Sequence, residues 1–486
     1  MKFGKNLSKA SRLTLLSYFS QIVSMAVLFV ESKILTTQLN VNDYGAYNQV
    51  LTTVSMMVTV LSLNLGHGFL RFASSFDENK KKQAFGTVLI FQFSLLCTAY
   101  ILVSPLSVEF SLFLTNQKAV YPYIFIALLG LMSSLITNVQ NYMLASGKDV
   151  VMVKQNIYRI IANVFFISSA VFIKSSIFSA LTGYFLSEVV CFAYFSISNH
   201  ISYRHLAFNR DIFSLISRFS IPLILSSISY WVINSCNRYF INYYWGLEDA
   251  GRFAIANRLP VMLVTIFTLL STIFLSNTSR LYDSGEIKRV SYWFSSMIRV
   301  FVLVAGAGAA FLIMSHRTIT LILSNEEYLF DGISQFYLWL CMGSIAFGLF
   351  QIVSKCYDLE KKVNIISLIW FAILVVNVLL NFLLIPKYSL LGASWASSIT
   401  FLVGFTLAVI FRPRTVNMGV SWLKLVTYIV LVLFTSYILV DFIAQYNLNM
   451  WVELLIAFGV FFFAIAIGLA LKILKVNELK ELMLNK

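Results

Sequence analysis

The chain has 486 residues, 59% of them hydrophobic and only 12% charged, with a mean hydropathy of +0.81. A soluble domain carries roughly 25% charged residues, so the composition excludes a soluble enzyme and requires an integral membrane protein. The formal charge of +15 does not indicate a nucleic-acid partner, because the cations sit in short connections between apolar runs.

Apolar runs of about 20 residues, the length that crosses ~30 Å of hydrocarbon as a helix, recur along the chain. The ~10-residue alternation of a membrane β-barrel is absent. The expected fold is all-α and polytopic, with about fourteen transmembrane helices. In chain order the predicted spans are residues 11–35, 44–70, 84–103, 121–145, 151–173, 177–197, 216–241, 251–275, 290–315, 333–354, 363–385, 390–410, 420–440 and 452–471. Lys2, Lys5, Lys9 and Arg12 precede the first run, which continues without a small-x-small cleavage site and reads as an uncleaved span.

Twenty-six lysines and arginines fall in alternate connections, starting from the N-terminus, and six in the others. By the positive-inside rule both termini are expected in the cytoplasm. Every connection is short, so no soluble domain is expected on either face. The longest cytoplasmic link separates the first six spans from the next six. At an offset of 206 residues, Asp249, Gly251 and Phe253 fall over Asp43, Gly45 and Tyr47. Copies six spans apart start on the same side, which makes a parallel pseudo-two-fold repeat. The expected organisation is a six-helix lobe at 1–198, a link at 199–215, a second lobe at 216–411, and two extra spans with a cytoplasmic tail at 412–486.

Four arginines lie inside spans: Arg159, Arg238, Arg258 and Arg299. A cation at the bilayer centre costs at least ~2.5 kcal/mol, so each must face protein, a water-filled cavity or the interface. As a set they suggest a cationic cavity for an anionic headgroup, phosphate being the natural match to a guanidinium fork. Arg159 and Arg299 also lie within about ten residues of cytoplasmic ends, a distance long side chains span by snorkelling. Arg258 precedes Pro260 and reads as cavity-lining, whereas Arg238 is close to the outer end of its span. Glu31, Glu188 and His67 are the candidates for coupling to H⁺ or Na⁺, or for hydrogen-bonding helices together. Pro222 and Pro260 are the two prolines placed to kink spans and are the hinge candidates.

Cys97, Cys191, Cys236, Cys341 and Cys356 have no C-x-x-C spacing and read as small core residues, with no metal site expected. Gly147-Lys148 lacks the earlier glycine of a phosphate-binding loop, and Gly306-Ala-Gly308 lacks a following third glycine, so no nucleotide motor is indicated.

Three stretches carry a family resemblance: Lys33 to Tyr47 with its Tyr-Gly-x-Tyr turn; Arg218 to Pro260, with Pro222 and an echo of that turn at Ala250-Gly-Arg-Phe253; and Asn377 to Ala396, which follows the pattern N-x-x-L-N…I-P-x-x-G-x-x-G-A-x-x-A. The chain resembles the polysaccharide-exporter branch of the multidrug, oligosaccharidyl-lipid and polysaccharide flippase superfamily, as in O-antigen flippases. Ser389 stands where a glycine is usual, and Asn237-Arg238 where an Asp-Arg or Asp-Lys pair is common. The resemblance implies two six-helix lobes about a central cavity, plus two helices. It also implies passage of an undecaprenyl-pyrophosphate-linked oligosaccharide, an O-antigen or capsule repeat unit, from the inner to the outer leaflet of a bacterial inner membrane by alternating access. The implied partners are that lipid-linked oligosaccharide, membrane lipids, H⁺ or Na⁺, and polymerase and chain-length proteins of the same pathway; no cofactor and no nucleic acid are implied.

Three alternatives stand beside this reading. A cation-coupled drug exporter of the same superfamily often takes cations, which four arginines would repel. A peptidoglycan-precursor flippase carries an arginine pair in its first span, where this chain has Gln21 and Val27. A membrane glycosyltransferase needs a catalytic loop, and no large external loop with paired carboxylates is present.

Overall fold

In the computed structural model, residues 9–473 are described, except 74, 202, 204, 205, 361, 414, 445 and 447; for 9–15, 266–273, 275–277, 363 and 444 the backbone alone is described. Among the expected cytoplasmic cations, Lys2, Lys5, Arg204, Lys361, Arg414, Lys475, Lys480 and Lys486 therefore lie outside the described residues. The described residues form an all-α polytopic membrane protein without a strand. Its helices are α1 (Lys9–Gln38), α2 (Val41–Leu61), α3 (Leu65–Ala73), α4 (Glu78–Val103), α5 (Ser107–Thr115), α6 (Tyr121–Ala145), α7 (Asp149–Ile173), α8 (Ile177–Ser198) and α9 (Arg210–Ser220). There follow α10 (Ile224–Trp245), α11 (Leu247–Ala256), α12 (Arg258–Asp283), α13 (Ile287–Met314), α14 (His316–Leu323), α15 (Ile333–Leu359), α16 (Val363–Ile410), α17 (Trp422–Ala444) and α18 (Met450–Ala470).

Helix is the form these segments must take, since lipid offers no partner to a backbone N–H or C=O. The side chains turned outward are apolar: Ile173 is 87% exposed and Leu423 78%, the reverse of a soluble surface. Helix starts are capped by short polar residues. Asn40 Oδ1 accepts from the Asp43 N–H at 2.7 Å, and Asp77 Oδ1 from that of Lys80 at 2.9 Å.

Among the described residues, eleven helical stretches are long and apolar enough to cross a membrane, and a twelfth is formed by α2 and α3, bent by 54°. The 48-residue α16 would reach about 70 Å if straight, twice the hydrocarbon thickness. It breaks at Ser389, whose φ of 46° and ψ of −124° interrupt the helix between the predicted spans 363–385 and 390–410. Counting α16 as two passes, and the 26-residue α12 as one, accounts for the fourteen expected spans. A buried amide ladder ties the arms of α16 together: Asn381 Nδ2 donates to Asn377 Oδ1 at 3.0 Å, and Asn377 Nδ2 to Thr400 Oγ1 at 3.1 Å. This is what the two asparagines of the Asn377 to Ala396 stretch do.

The chain divides into two compact units between Gly251 and Arg252, inside α11. In the first unit α6 packs against α2, α4 and α8, while α1 lies along α7. In the second, α13 is the central helix, contacting α12, α15, α17 and α18.

Candidate functional site

Two polar clusters lie among the helices of the first unit. The first is an ion pair between α7 and α8. Arg159 Nε donates to Glu188 Oε1 at 2.8 Å and its Nη2 to Oε2 at 2.7 Å, a bidentate fork, with Ser133 Oγ accepting a further bond at 3.3 Å. The Glu188 side chain is fully buried, that of Arg159 20% exposed. Arg159 is ten residues into α7, about 15 Å from the helix start, near mid-membrane. Tyr184 is near enough to Arg159, and to Glu31 on α1, to interact with both electrostatically. Thus two residues assigned separately from the sequence, Arg159 to an anion and Glu188 to a coupling ion, hold each other.

The second cluster is a seam between α2 and α10. Arg238 Nη1 donates to Thr52 Oγ1 at 2.9 Å, and the Thr52 hydroxyl in turn donates to the Asn48 carbonyl at 2.7 Å. At the next residue on each helix, Thr53 Oγ1 donates to the Gln49 carbonyl and meets the Tyr239 hydroxyl, both at 2.8 Å. Asn64 Nδ2 reaches Ser227 Oγ at 2.8 Å, and Asn242 Nδ2 the carbonyls of Phe113 and Leu114 at 3.2 Å. The Gln49 amide is buried with neither atom hydrogen-bonded among the described residues, as is the Trp231 indole N–H. A buried amide left this way costs about 1–3 kcal/mol, and so favours water or a polar ligand beside it.

The remaining candidates are dispersed. His67 is exposed on α3, and Glu31 is half-buried on α1. Pro222 is exposed in the single 3₁₀ turn Ile221–Leu223 that joins α9 to α10. Pro260 is buried in the first turn of α12, where its missing N–H costs no helix bond. Both hinge candidates therefore sit at helix breaks. Arg258 opens α12 immediately after the break at Asn257. Arg299, on α13, extends its Nη2 to the Gly419 carbonyl ahead of α17, at 3.4 Å.

Sequence reasoning passed over Gln49, Thr52, Thr53, Tyr239, Ser133 and Tyr184. The signal for the first three was present: Asn48, Gln49, Thr52 and Thr53 recur at helical spacing within an apolar span. The repeated turn also acquires a physical reason. A Cβ on Gly45 would stand 2.1 Å from the Leu247 carbonyl oxygen, and one on Gly251 2.7 Å from that of Val41. The two copies meet backbone to backbone, which only glycine allows.

The family model for polysaccharide biosynthesis proteins matches residues 34–329, more than half of the chain, and the chain belongs to that family. A comparison with curated proteins finds no match. Among solved structures, the fold is similar to that of the lipid II flippase MurJ in an inward closed conformation. The TM-score is 0.71 at 15% identity, covering 94% of this chain and 97% of MurJ. An inward-facing multidrug resistance transporter of the MATE family gives a TM-score of 0.66 at 14% identity, over 80% of this chain and 96% of its own. A transporter of the same superfamily from Pyrococcus furiosus, whose binding pocket is described as reversed in polarity, gives 0.58 at 14% identity, over 84% and 96%. The chain therefore has the fold of the multidrug, oligosaccharidyl-lipid and polysaccharide transporter superfamily.

Proposed function

We propose that the protein flips an undecaprenyl-pyrophosphate-linked oligosaccharide from the cytoplasmic to the outer leaflet of a bacterial inner membrane. The observation that carries this reading is Arg238 on the α2–α10 seam. It is a guanidinium set in a wall of hydroxyl and amide groups, in a chain of a polysaccharide biosynthesis family with the fold of a lipid II flippase. A guanidinium suits the pyrophosphate, while Gln49, Tyr239 and the nearby Trp231 ring suit a sugar.

In this reading Arg238 in the first unit, and Arg258 and Arg299 in the second, each serve as cationic contacts for the anionic cargo. The Arg159–Glu188 pair, with Glu31 and His67, belongs to ion coupling. Pro222 and Pro260 mark the helix breaks about which the two lobes of the repeat, 1–198 and 216–411, rock. Both termini are cytoplasmic. A peptidoglycan precursor is the second reading, favoured by the likeness to MurJ.

The test is translocation in liposomes. Undecaprenyl-pyrophosphate oligosaccharide and lipid II are supplied separately, with and without a proton or Na⁺ gradient. Transfer of the first and not the second supports the proposal. Transfer of lipid II alone selects the second reading, and transfer of neither under any gradient sinks both.

A further inference from the structure

Away from the seam, the first unit contains a cavity of about 540 Å³ at the ends of α4, α6 and α8. By the distribution of lysine and arginine this is the cytoplasmic face. Its walls come from three helices and the link that follows α8. Lys82 stands on one wall, from the first turns of α4. Lys148 stands on a second, in the turn after α6, and His200 on a third, in the link itself. Neutral donors accompany the two lysines in the lining: Tyr142, Ser146 and Asn199. The single acid in the lining, Glu78, accepts from the Lys81 ammonium at 2.9 Å, which offsets its charge.

The arrangement is held by what lies beneath it. Phe85 and Tyr142 pack with their rings tilted by 39° and their centroids 4.9 Å apart. They rest on a core of buried side chains from α3, α4, α6, α8 and α9, including Phe69, Val88, Ile136 and Phe195. The link is pinned to α4, for the Asn209 N–H donates to Thr87 Oγ1 at 3.1 Å. Asn209 then caps α9 through its Oδ1, which accepts from the N–H groups of Asp211 and Ile212 at 3.0 and 3.1 Å.

We propose that this cavity binds the phosphoryl group of a lipid headgroup at the cytoplasmic surface. Cations from two walls, with hydroxyl and amide donors in the same lining, match a phosphate's several acceptor oxygens. Basic pockets between transmembrane helices on this face are where anionic headgroups are held. The cavity is large enough for a headgroup and its glycerol, and its aromatic floor accepts the apolar part. Two lipids carry the required chemistry: an anionic phospholipid of the bilayer, and the pyrophosphate-bearing polyprenyl lipid of the proposed function. The second source alone rests on that proposal.

The test uses the full-length protein in phosphatidylcholine nanodiscs and measures binding by native mass spectrometry and thermal stabilisation. Separate arms add phosphatidylglycerol, undecaprenyl pyrophosphate and inorganic pyrophosphate. The comparison is between wild type, the double variant Lys82→Ala/Lys148→Ala, and the charge-preserving Lys82→Arg/Lys148→Arg. Both lysines are exposed, so neither change disturbs the core. The expected result is at least a tenfold loss of lipid affinity in the alanine variant, with recovery in the arginine variant and weakening as salt is raised. The loss appearing with phosphatidylglycerol identifies bulk lipid, and its appearing only with undecaprenyl pyrophosphate identifies the cargo. Equal lipid binding by wild type and alanine variant in both lipid arms, or binding of inorganic pyrophosphate alone, overturns the proposal. Flipping of the lipid-linked oligosaccharide is a separate readout, so failure of one is distinguishable from failure of the other.

Discussion

Arg159 and Arg238 lie in the same compact unit, each within a long apolar stretch, yet their surroundings differ in kind. Arg159 is locked to a fully buried carboxylate by two charge-assisted hydrogen bonds. Arg238 donates to a threonine hydroxyl that is itself tethered to its own helix. The difference teaches that an in-span arginine is defined by its partner more than by its depth. A carboxylate partner makes it part of the scaffold, or of a coupled pair. A hydroxyl partner sets the guanidinium in a polar wall between two helices.

The comparison breaks most sharply at the ion pair. Arg159→Ala strands Glu188 in the interior and should cost about 3–5 kcal/mol, whereas replacing both with apolar residues of similar volume should cost far less. Thermal unfolding of the purified variants checks this, and equal stability of the single and double variants would refute the scaffold role. Next in size is the glycine contact within the same unit. Gly45→Val drives a side chain into the Leu247 carbonyl and should lose about 1–3 kcal/mol with loss of transport. Wild-type melting behaviour in that variant would show that the backbones separate at no cost.

Arg238→Gln should behave in the opposite way to Arg159→Ala. Stability should fall less than in Arg159→Ala, while translocation falls at least tenfold. Unchanged translocation removes Arg238 from the cationic contacts. Smaller again, Ser389→Gly should gain about 1 kcal/mol, because φ 46°, ψ −124° is backbone that glycine alone adopts freely. A lower melting temperature for the glycine variant would show that the serine hydroxyl outweighs the strain.

The smallest effect concerns a partly buried imidazole of the second unit. His316, just past α13, has its imidazole pushed below the usual range by burial, against the opposing pull of the Ile313 carbonyl and of Glu453. A depressed histidine stabilises the fold while neutral, so its contribution is present above pH ~6.5 and is lost as the pH falls below that value. Melting temperatures between pH 7 and pH 5 should fall further in wild type than in His316→Gln, and parallel curves would exclude the effect.

Much of this was legible in the chain. Span positions follow from apolar length, and even the break in α16 lay where Pro386 and Ser389 interrupt the pattern. The echo of Asp43 to Tyr47 at Asp249 to Phe253 was visible as a weak repeat. Its reason, two glycines meeting across a helix crossing, was not, because a close approach leaves no periodic trace. The seam was half legible. Gln49, Thr52 and Thr53 share a helix face, but polar residues on one face disclose neither what lies opposite nor that Arg238 would reach it.

What the sequence determined by itself is the class of the protein. Membrane insertion depends on apolar length and on the placement of cations in loops, both local properties of the chain. What only the tertiary structure decided is which charge answers which. Arg159 and Glu188 are 29 residues apart, and Arg238 and Thr52 186 apart. Their partnerships arise from helix packing and not from spacing along the chain. In a low-dielectric interior, that choice of partner decides whether an arginine is bound into an ion pair or into a seam of hydroxyl groups.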